Sequence, residues 1–281
     1  MNIITDISEM QKVADSFRLQ GRRIGFVPTM GFLHEGHLSL IRHARQMFDI
    51  VVVSIFVNPI QFGPSEDFDR YPRDEDGDLA KCKAGGVDIV FLPDAKEMYS
   101  TQDAVTVSVE RISDIMEGAI RPGHYRGVAT VVAKLFHIVK PHAAFFGQKD
   151  YQQCIIIKRL VKGLNIDVDI VIRPTVREAD GLAMSSRNAY LNEKERRAAT
   201  VIFRALSSAE HLIKSGVKDM EHVRSRIQAT LQEEKGLNID YIQIVDPDTL
   251  MPLQSMVNNL VILVAVRLGN TRLIDNVHIW P

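Results

Sequence analysis

The stretch Ile24-Gly25-Phe26-Val27-Pro28-Thr29-Met30-Gly31-Phe32-Leu33-His34-Glu35-Gly36-His37 decides the fold by the order of its residue types. Ile24 to Val27 is a short apolar run closed by Pro28, and from His37 onward Leu38, Ile41, Ala44 and Phe48 recur at helical spacing. Ile50 to Phe56 then forms an apolar stretch rich in β-branched residues, as suits a strand covered on both faces. Strand, loop, helix and strand within about thirty residues make a βαβ unit. Its crossover opens at Pro28-Thr29-Met30-Gly31.

The same logic extends outward. Val87 to Leu92, ending at Pro93, and Ala143 to Phe146, ending at Gly147, read as two further parallel strands, each preceded by a helix. Gly127 to Lys140 reads as a helix stopped by Pro141, and Tyr151 to Lys162 as one ended by Gly163, before a strand over Val168 to Ile172. Val105, Val107 and Val109 alternate with Thr106 and Ser108, the period of a half-exposed edge strand. Past residue 176 the texture changes. A Ser-containing loop, Ala183 to Asn188, leads into a long charged amphipathic helix over Glu193 to Lys214, then a helix near Asp219 to Glu234 and strands at Tyr241 to Val245 and Leu260 to Val266. The expected class is α/β: a Rossmann-like parallel-sheet domain over residues 1–176 and a smaller α+β domain over residues 177–281.

A chain of 281 residues is long enough for such an arrangement. Its 34 Lys and Arg against 35 Asp and Glu leave a formal charge of −1, which argues against a dedicated nucleic-acid binder. Arg22-Arg23 and Arg196-Arg197 read as solvated faces. The two cysteines, Cys82 and Cys154, lack metal-ligand spacing and imply no disulfide framework. With no apolar run of membrane-spanning length and no secretory leader pattern, a cytoplasmic protein without membrane partners is expected.

Ligands of open parallel sheets bind beyond the carboxyl ends of the strands, so glycines and polar groups should gather after the apolar runs. They do so at Pro28 to His37, at Asn58-Pro59-Ile60-Gln61-Phe62-Gly63 and at Gly147-Gln148-Lys149-Asp150. His34 and His37 lie about one helical turn apart, so both imidazoles can face one anion at a helix N-terminus, such as an α-phosphate and a departing pyrophosphate. The plainer alternative is a pair of helix-start histidines. Zinc is disfavoured because the His-Glu-x-x-His spacing and a third ligand are absent, and neither a Gly-x-Gly-x-x-Gly fingerprint nor a Walker loop occurs. Lys149 and Arg187 can follow phosphate charge, Gln61 and Gln153 can donate to a carboxylate, and Asp74, Asp76 and Asp78 are candidates to hold Mg²⁺. Arg121, His124 and Arg126 flank a Pro-Gly turn and could approach substrate or a neighbouring subunit, a choice the sequence leaves open.

The Pro-Thr-Met-Gly-x-Leu-His-x-Gly-His stretch resembles the signature of the pantoate–β-alanine ligase family. In order along the chain, Phe56 to Phe62, Tyr71-Pro72-Arg73, Arg121 to Gly127, Phe146 to Asp150 and Arg177 to Asn188 resemble that family's other blocks. The resemblance implies a Rossmann-like domain of the His-x-Gly-His nucleotidyltransferase type. It also implies ATP-dependent condensation of (R)-pantoate with β-alanine, through a pantoyl adenylate, with release of pyrophosphate and AMP. By the same resemblance His37, His34 and Lys149 are catalytic, with His37 the proton donor. Met30, Gly31, Phe32, Leu33, His34, Glu35, Gly36, His37, Gly147, Gln148, Lys149, Asp150, Val176, Met184, Ser185, Ser186 and Arg187 would bind ATP. Gln61 and Gln153 would bind pantoate and Gln61 also β-alanine. Mg²⁺ would accompany ATP on unknown protein ligands, the C-terminal domain would act as a lid, and the protein would be a cytoplasmic homodimer.

Overall fold

The protein, described by a computed structural model for residues 1–99 and 105–280, falls into two compact units. The first comprises residues 1–148 and 152–174, and the second residues 149–151 and 175–280 among those described.

Six parallel strands build the first unit: β1 (Asn2–Ile4), β2 (Ile24–Thr29), β3 (Ile50–Ile55), β4 (Ile89–Phe91), β5 (Ala143–Gly147) and β6 (Asp169–Arg173). Their order across the sheet is β1-β4-β3-β2-β5-β6. The connecting helices are α1 (Ile7–Leu19), α2 (Glu35–Met47), α3 (Glu75–Ala84), the short α4 (Ala95–Met98) and α5 (Glu117–Ile120), then α6 (His124–Val139) and α7 (Tyr151–Gly163). β3 is buried at every position and β2 at all but Pro28, which explains why neither run alternates. On one face, Leu40, Ile41, Ala44 and Phe48 of α2 pack with Val27, Val51, Val53 and Phe145. Each such side chain taken out of water contributes roughly 1.5–3 kcal/mol, and the Phe48 and Phe145 rings meet edge-on at 5.7 Å between centroids. From β2 the chain steps outward through β3 to β4, then returns to β5 on the other side of β2. That reversal puts a topological switch point between β2 and β5, and the three loops richest in glycine and polar residues leave the adjacent strands β3, β2 and β5.

The second unit carries α8 (Glu193–Ala198), α9 (Val201–Lys214), α10 (Met220–Leu231) and an antiparallel sheet of β7 (Leu237–Val245), β8 (Leu260–Leu268) and β9 (Thr271–Ile279). Its core joins Ile202 and Leu206 of α9, Val223 and Ile227 of α10, and Ile262, Val264 and Val266 of β8.

Three expectations need correction. Residues 105–109 form no strand: the Val107 amide donates to Thr130 Oγ1 at 2.9 Å and its carbonyl accepts from the same hydroxyl at 3.4 Å, so a helix side chain takes the place of a ladder. The helix expected over Glu193 to Lys214 is broken at Ala199-Thr200, where i→i+3 bonds from Thr200 and Ile202 replace the α pattern. There the Thr200 hydroxyl also donates to the Arg197 carbonyl at 2.8 Å, competing for a helical acceptor. The elements β1, α1 and β9 extend beyond what the sequence reading supplied.

β9 also holds the second unit's best-buried ion pair. Asp275, 3% exposed, accepts from both terminal nitrogens of Arg177 at 2.6 and 3.0 Å, and the guanidinium lies 4.8 Å from the Phe203 ring centre. Asp275→Ala is expected to cost about 3 kcal/mol, because it strands a largely desolvated guanidinium. Adding Arg177→Met should recover much of that loss. Urea denaturation of the two variants checks both expectations.

Candidate active site

The turn between β2 and α2 is shaped by two consecutive left-handed residues, Gly31 at φ 80° and Phe32 at φ 50°. A phenylalanine in that region is strained by about 1–3 kcal/mol unless its surroundings compensate. The compensation comes from Asp78 of α3, whose carboxylate accepts the Phe32 and Leu33 amides at 2.7 and 2.6 Å. Burial pushes the Asp78 carboxyl above the ordinary carboxylate range, while the two amides and the Lys81 ammonium, 3.8 Å away, favour its charged form. Thr29 completes the turn: its hydroxyl donates to the Ser54 carbonyl at 2.8 Å and accepts from the Gly31 amide at 3.2 Å.

His34 is the N-cap of α2. Its Nδ1 accepts the Gly36 amide at 3.2 Å, and His37 Nδ1 accepts the His34 amide at 3.3 Å, a capping box made by two imidazoles. The ring centres lie 4.1 Å apart at 36°. A nitrogen that accepts an amide proton carries none, so in the neutral rings the proton sits on Nε2 in both. The pair thus presents two ring N–H donors at the positive end of a helix dipole. The helix-start role, one of the two alternatives the sequence posed, is taken by Nδ1 of each ring. Glu35 of the same turn is ion-paired with Arg42.

Gln61, 7% exposed, sits in a single 3₁₀ turn after β3. Asn58 orients it. The Gly127 carbonyl can only accept, so Asn58 Nδ2 faces it at 3.2 Å, and the same nitrogen donates to Gln61 Oε1 at 3.0 Å while Tyr99 donates to Asn58 Oδ1 at 2.8 Å. The Gln61 amide nitrogen is left pointing at Met30 Sδ, 2.9 Å away. Sulfur is a weak acceptor, so a carboxylate or hydroxyl oxygen would replace it at little cost. Gln153, half-buried on α7, belongs to the same unit as Gln61 and the histidines. So do Gly147 and Gln148.

Lys149, Asp150, Val176 and Met184 to Arg187 belong to the second unit. There Asn276 donates to the Lys149 carbonyl at 3.0 Å. Val176 and Met184 pair across a small hairpin, the Met184 amide donating to the Val176 carbonyl at 3.0 Å, with Arg177 opposite Ala183. Asn188 ties the hairpin to the loop that follows, donating to Glu178 Oε1 at 3.0 Å and the Ala183 carbonyl at 3.1 Å. Arg196 clamps Glu178 and Asp180. Ser185 takes the capping role its residue type allows, its hydroxyl accepting the Arg187 amide at 3.3 Å.

Two of the three acids weighed as Mg²⁺ candidates are engaged within the fold. Asp78 is committed to the β2–α2 turn, Asp74 caps α3 by accepting the Gly77 amide at 3.1 Å, and among the described residues no group of three or more His, Cys, Asp or Glu is placed to hold a metal ion. Asn58, Tyr99 and His124 are residues that sequence reasoning left without a task, and Asp78 was given a different one, as a Mg²⁺ candidate. Asn58 carried a signal in its place directly after a buried strand, and His124 in its Pro-Gly block.

A switch-point crevice flanked by a histidine-capped helix, with a buried amide beside it, defines a nucleotide-dependent α/β enzyme of the nucleotidyltransferase type. The family model described as pantoate-beta-alanine ligase matches residues 2–278. The pantothenate synthetase of Caldicellulosiruptor bescii is 51% identical over 277 residues, covering 99% of this chain and 98% of its own, and that of Caldicellulosiruptor saccharolyticus is 52% identical over 277 residues, covering 99% of each. The crystal structure of the Thermus thermophilus pantothenate synthetase superposes with a TM-score of 0.95 at 43% identity, with all of both chains covered. The Francisella tularensis pantoate-beta-alanine ligase, solved in complex with beta-gamma ATP and beta-alanine, gives 0.82 at 36% identity, covering 99% of this chain and 97% of its own. The chain belongs to the pantoate–β-alanine ligase family, and its reaction is the ATP-dependent joining of pantoate to β-alanine.

Removing the Asp78 carboxylate should loosen the histidine turn. Asp78→Ala leaves two amides without a partner, at about 1–3 kcal/mol each where they stay buried. The expected result is a melting temperature several degrees lower and AMP release slowed at least about tenfold. Asp78→Asn should also be impaired, because its NH₂ faces an amide donor. Calorimetry and an AMP assay test both variants.

Proposed function

We propose that the two imidazoles of α2 drive adenylation of pantoate, and the observation that carries this reading is their reciprocal cap through Nδ1, which directs both ring protons to Nε2. The pantoate carboxylate attacks the α-phosphorus of ATP and pyrophosphate leaves. Donors held in place before the reaction are effective here because negative charge grows on the phosphate oxygens in the transition state. His37, assigned as proton donor by the resemblance, acts here by hydrogen-bonding the leaving pyrophosphate through its Nε2–H with the proton kept on the ring, and His34 steadies the same charge. Lys149 follows the polyphosphate as a compact cation, and Arg187 grips phosphate oxygens through its planar fork. Gln61, with Gln153, binds pantoate, and Gln61 then serves β-alanine, whose amine attacks the adenylate carbonyl to give pantothenate and AMP.

Residues assigned to ATP occur in both units, and we assign the second unit the role of a lid that keeps water from the acyl adenylate. Mg²⁺ enters as a companion of ATP; Asp74 and Asp78, already bonded within the fold, do not suit it as a resident ion. A cytoplasmic homodimer is the expected working form, on family likeness, and light scattering of the purified protein tests it.

Labelled pyrophosphate should exchange into ATP when pantoate is present and β-alanine absent. ADP release, or exchange equally fast without pantoate, would overturn the adenylate route. His37→Asn keeps an acceptor near the capping position but lacks the Nε2 proton, so it should retain the fold and lose about a hundredfold or more in exchange. A chain ending near Ala189 should make no pantothenate even if its sheet domain folds, and full activity there would exclude the lid.

A further inference from the structure

The Pro-Gly turn that opens α6 lies against the Gln61 turn through three separate contacts. At Gly127 the backbones approach so closely that a Cβ would stand 2.5 Å from the Ile60 carbonyl oxygen and 2.6 Å from Gln61 Cα. Beside it His124, 8% exposed, reaches the Gln61 carbonyl through Nδ1 at 2.9 Å, and its Nε2 lies 3.1 Å from Arg121 Nη1. A guanidinium can only donate, so Nε2 is the acceptor and the single ring proton sits on Nδ1, where it is given to the Gln61 carbonyl. Arg121 is held in turn by Glu66, through Nε at 2.9 Å and Nη2 at 2.5 Å. Glu66 lies five residues past Gln61 in the same loop, so the loop is gripped at two points by one helix start.

We propose that His124 is a positioning residue for pantoate: by donating to the Gln61 carbonyl, and with its own tautomer set by the Arg121–Glu66 pair, it fixes the peptide from which the substrate-binding amide projects. This rests on the reading of Gln61 as the pantoate amide. Asn58 orients the far end of that side chain and His124 the near end, so loss of the His124 donor lets the whole amide swing. The requirement is for a neutral ring. Burial, and then the Arg121 cation, push the His124 pKa down to about 4, with the Gln61 carbonyl and the Glu66 and Glu117 carboxylates acting the other way. A second ring proton would point Nε2–H at Arg121 and break the clamp. The neighbouring Tyr125 ring, 4.8 Å away between centres, carries no charge.

Two isosteric halves of histidine separate positioning from bulk. Asparagine places an amide nitrogen near the Nδ1 position and can still donate to the Gln61 carbonyl; glutamine places its amide near Nε2 and can still meet Arg121. His124→Gln is expected to raise the pantoate KM about tenfold or more, with the ATP KM and the kcat at saturating pantoate within about threefold of wild type. His124→Asn should bring the pantoate KM back to within about threefold. Gln61→Ala, measured alongside, should itself raise the pantoate KM. If Gln61→Ala leaves pantoate saturation unchanged, the assignment of Gln61 falls and this inference with it. If Gln61→Ala responds but His124→Gln does not, or the Asn and Gln variants behave alike, the inference alone is overturned. Should either His124 variant not fold, Arg121→Gln decides. In the wild type an Nε2 proton is opposed by the Arg121 cation, whereas a glutamine there can accept it and leave the Nδ1–H bond to the Gln61 carbonyl intact, so the acid-side rise in pantoate KM should flatten; an unchanged profile would refute the role of the ring.

Discussion

Two amide protons resting on one buried carboxylate hold the active side of this molecule in shape. Without Asp78, nothing in the backbone favours a left-handed Phe32 after a left-handed Gly31, and without those two residues the chain would not leave β2 at the angle that starts α2 on His34. The histidine cap, the tautomers it selects and the direction of the two Nε2 protons all follow from that angle. The interaction is sequence-distant: Asp78 comes from the first turn of a different helix, forty-six residues from Phe32. A charged side chain is thus spent on the geometry of a glycine-containing turn.

Much of this arrangement was legible in residue order. Ile24 to Val27 and Ile50 to Ile55 declared themselves as doubly covered strands because nothing in them alternates, and the pairing of β3, β2 and β5 as neighbours gathers the polar loops that follow each apolar run. The helix start was legible where residue type and place coincided, as at His34 and His37. It failed where a side chain's partner lies far away in sequence. Asp78 looked like one of three acids in a solvated run, and only the fold shows it 1% exposed beneath another loop. Valine alternation at 105–109 looked like a strand, yet alternation describes which faces are covered and not what the backbone bonds to. β9 had a local signal that went unread: Gly269-Asn270 between apolar runs is a two-residue hairpin turn, with Gly269 at φ 55°.

The Arg177 to Asn188 block shows how one segment serves two ends. Three of its four charged members are paired within the same unit: Arg177 with Asp275, Glu178 and Asp180 with Arg196. What these pairs stiffen is the hairpin between them, from which the loop of Met184, Ser185 and Ser186 follows. At least half of the block is therefore scaffold.

The sheet's strand order also has a consequence for the order of folding. β1 pairs with β4, so Asn2 to Ile4 must wait for Ile89 to Phe91 before they have a ladder to join. β2 in turn borders β5, more than a hundred residues downstream. Closing loops of that size precedes any reward from pairing. The nascent chain thus carries Asn2 to Ile4 unpaired until Ile89 to Phe91 have been made, with the edge of β4 as the berth they finally take.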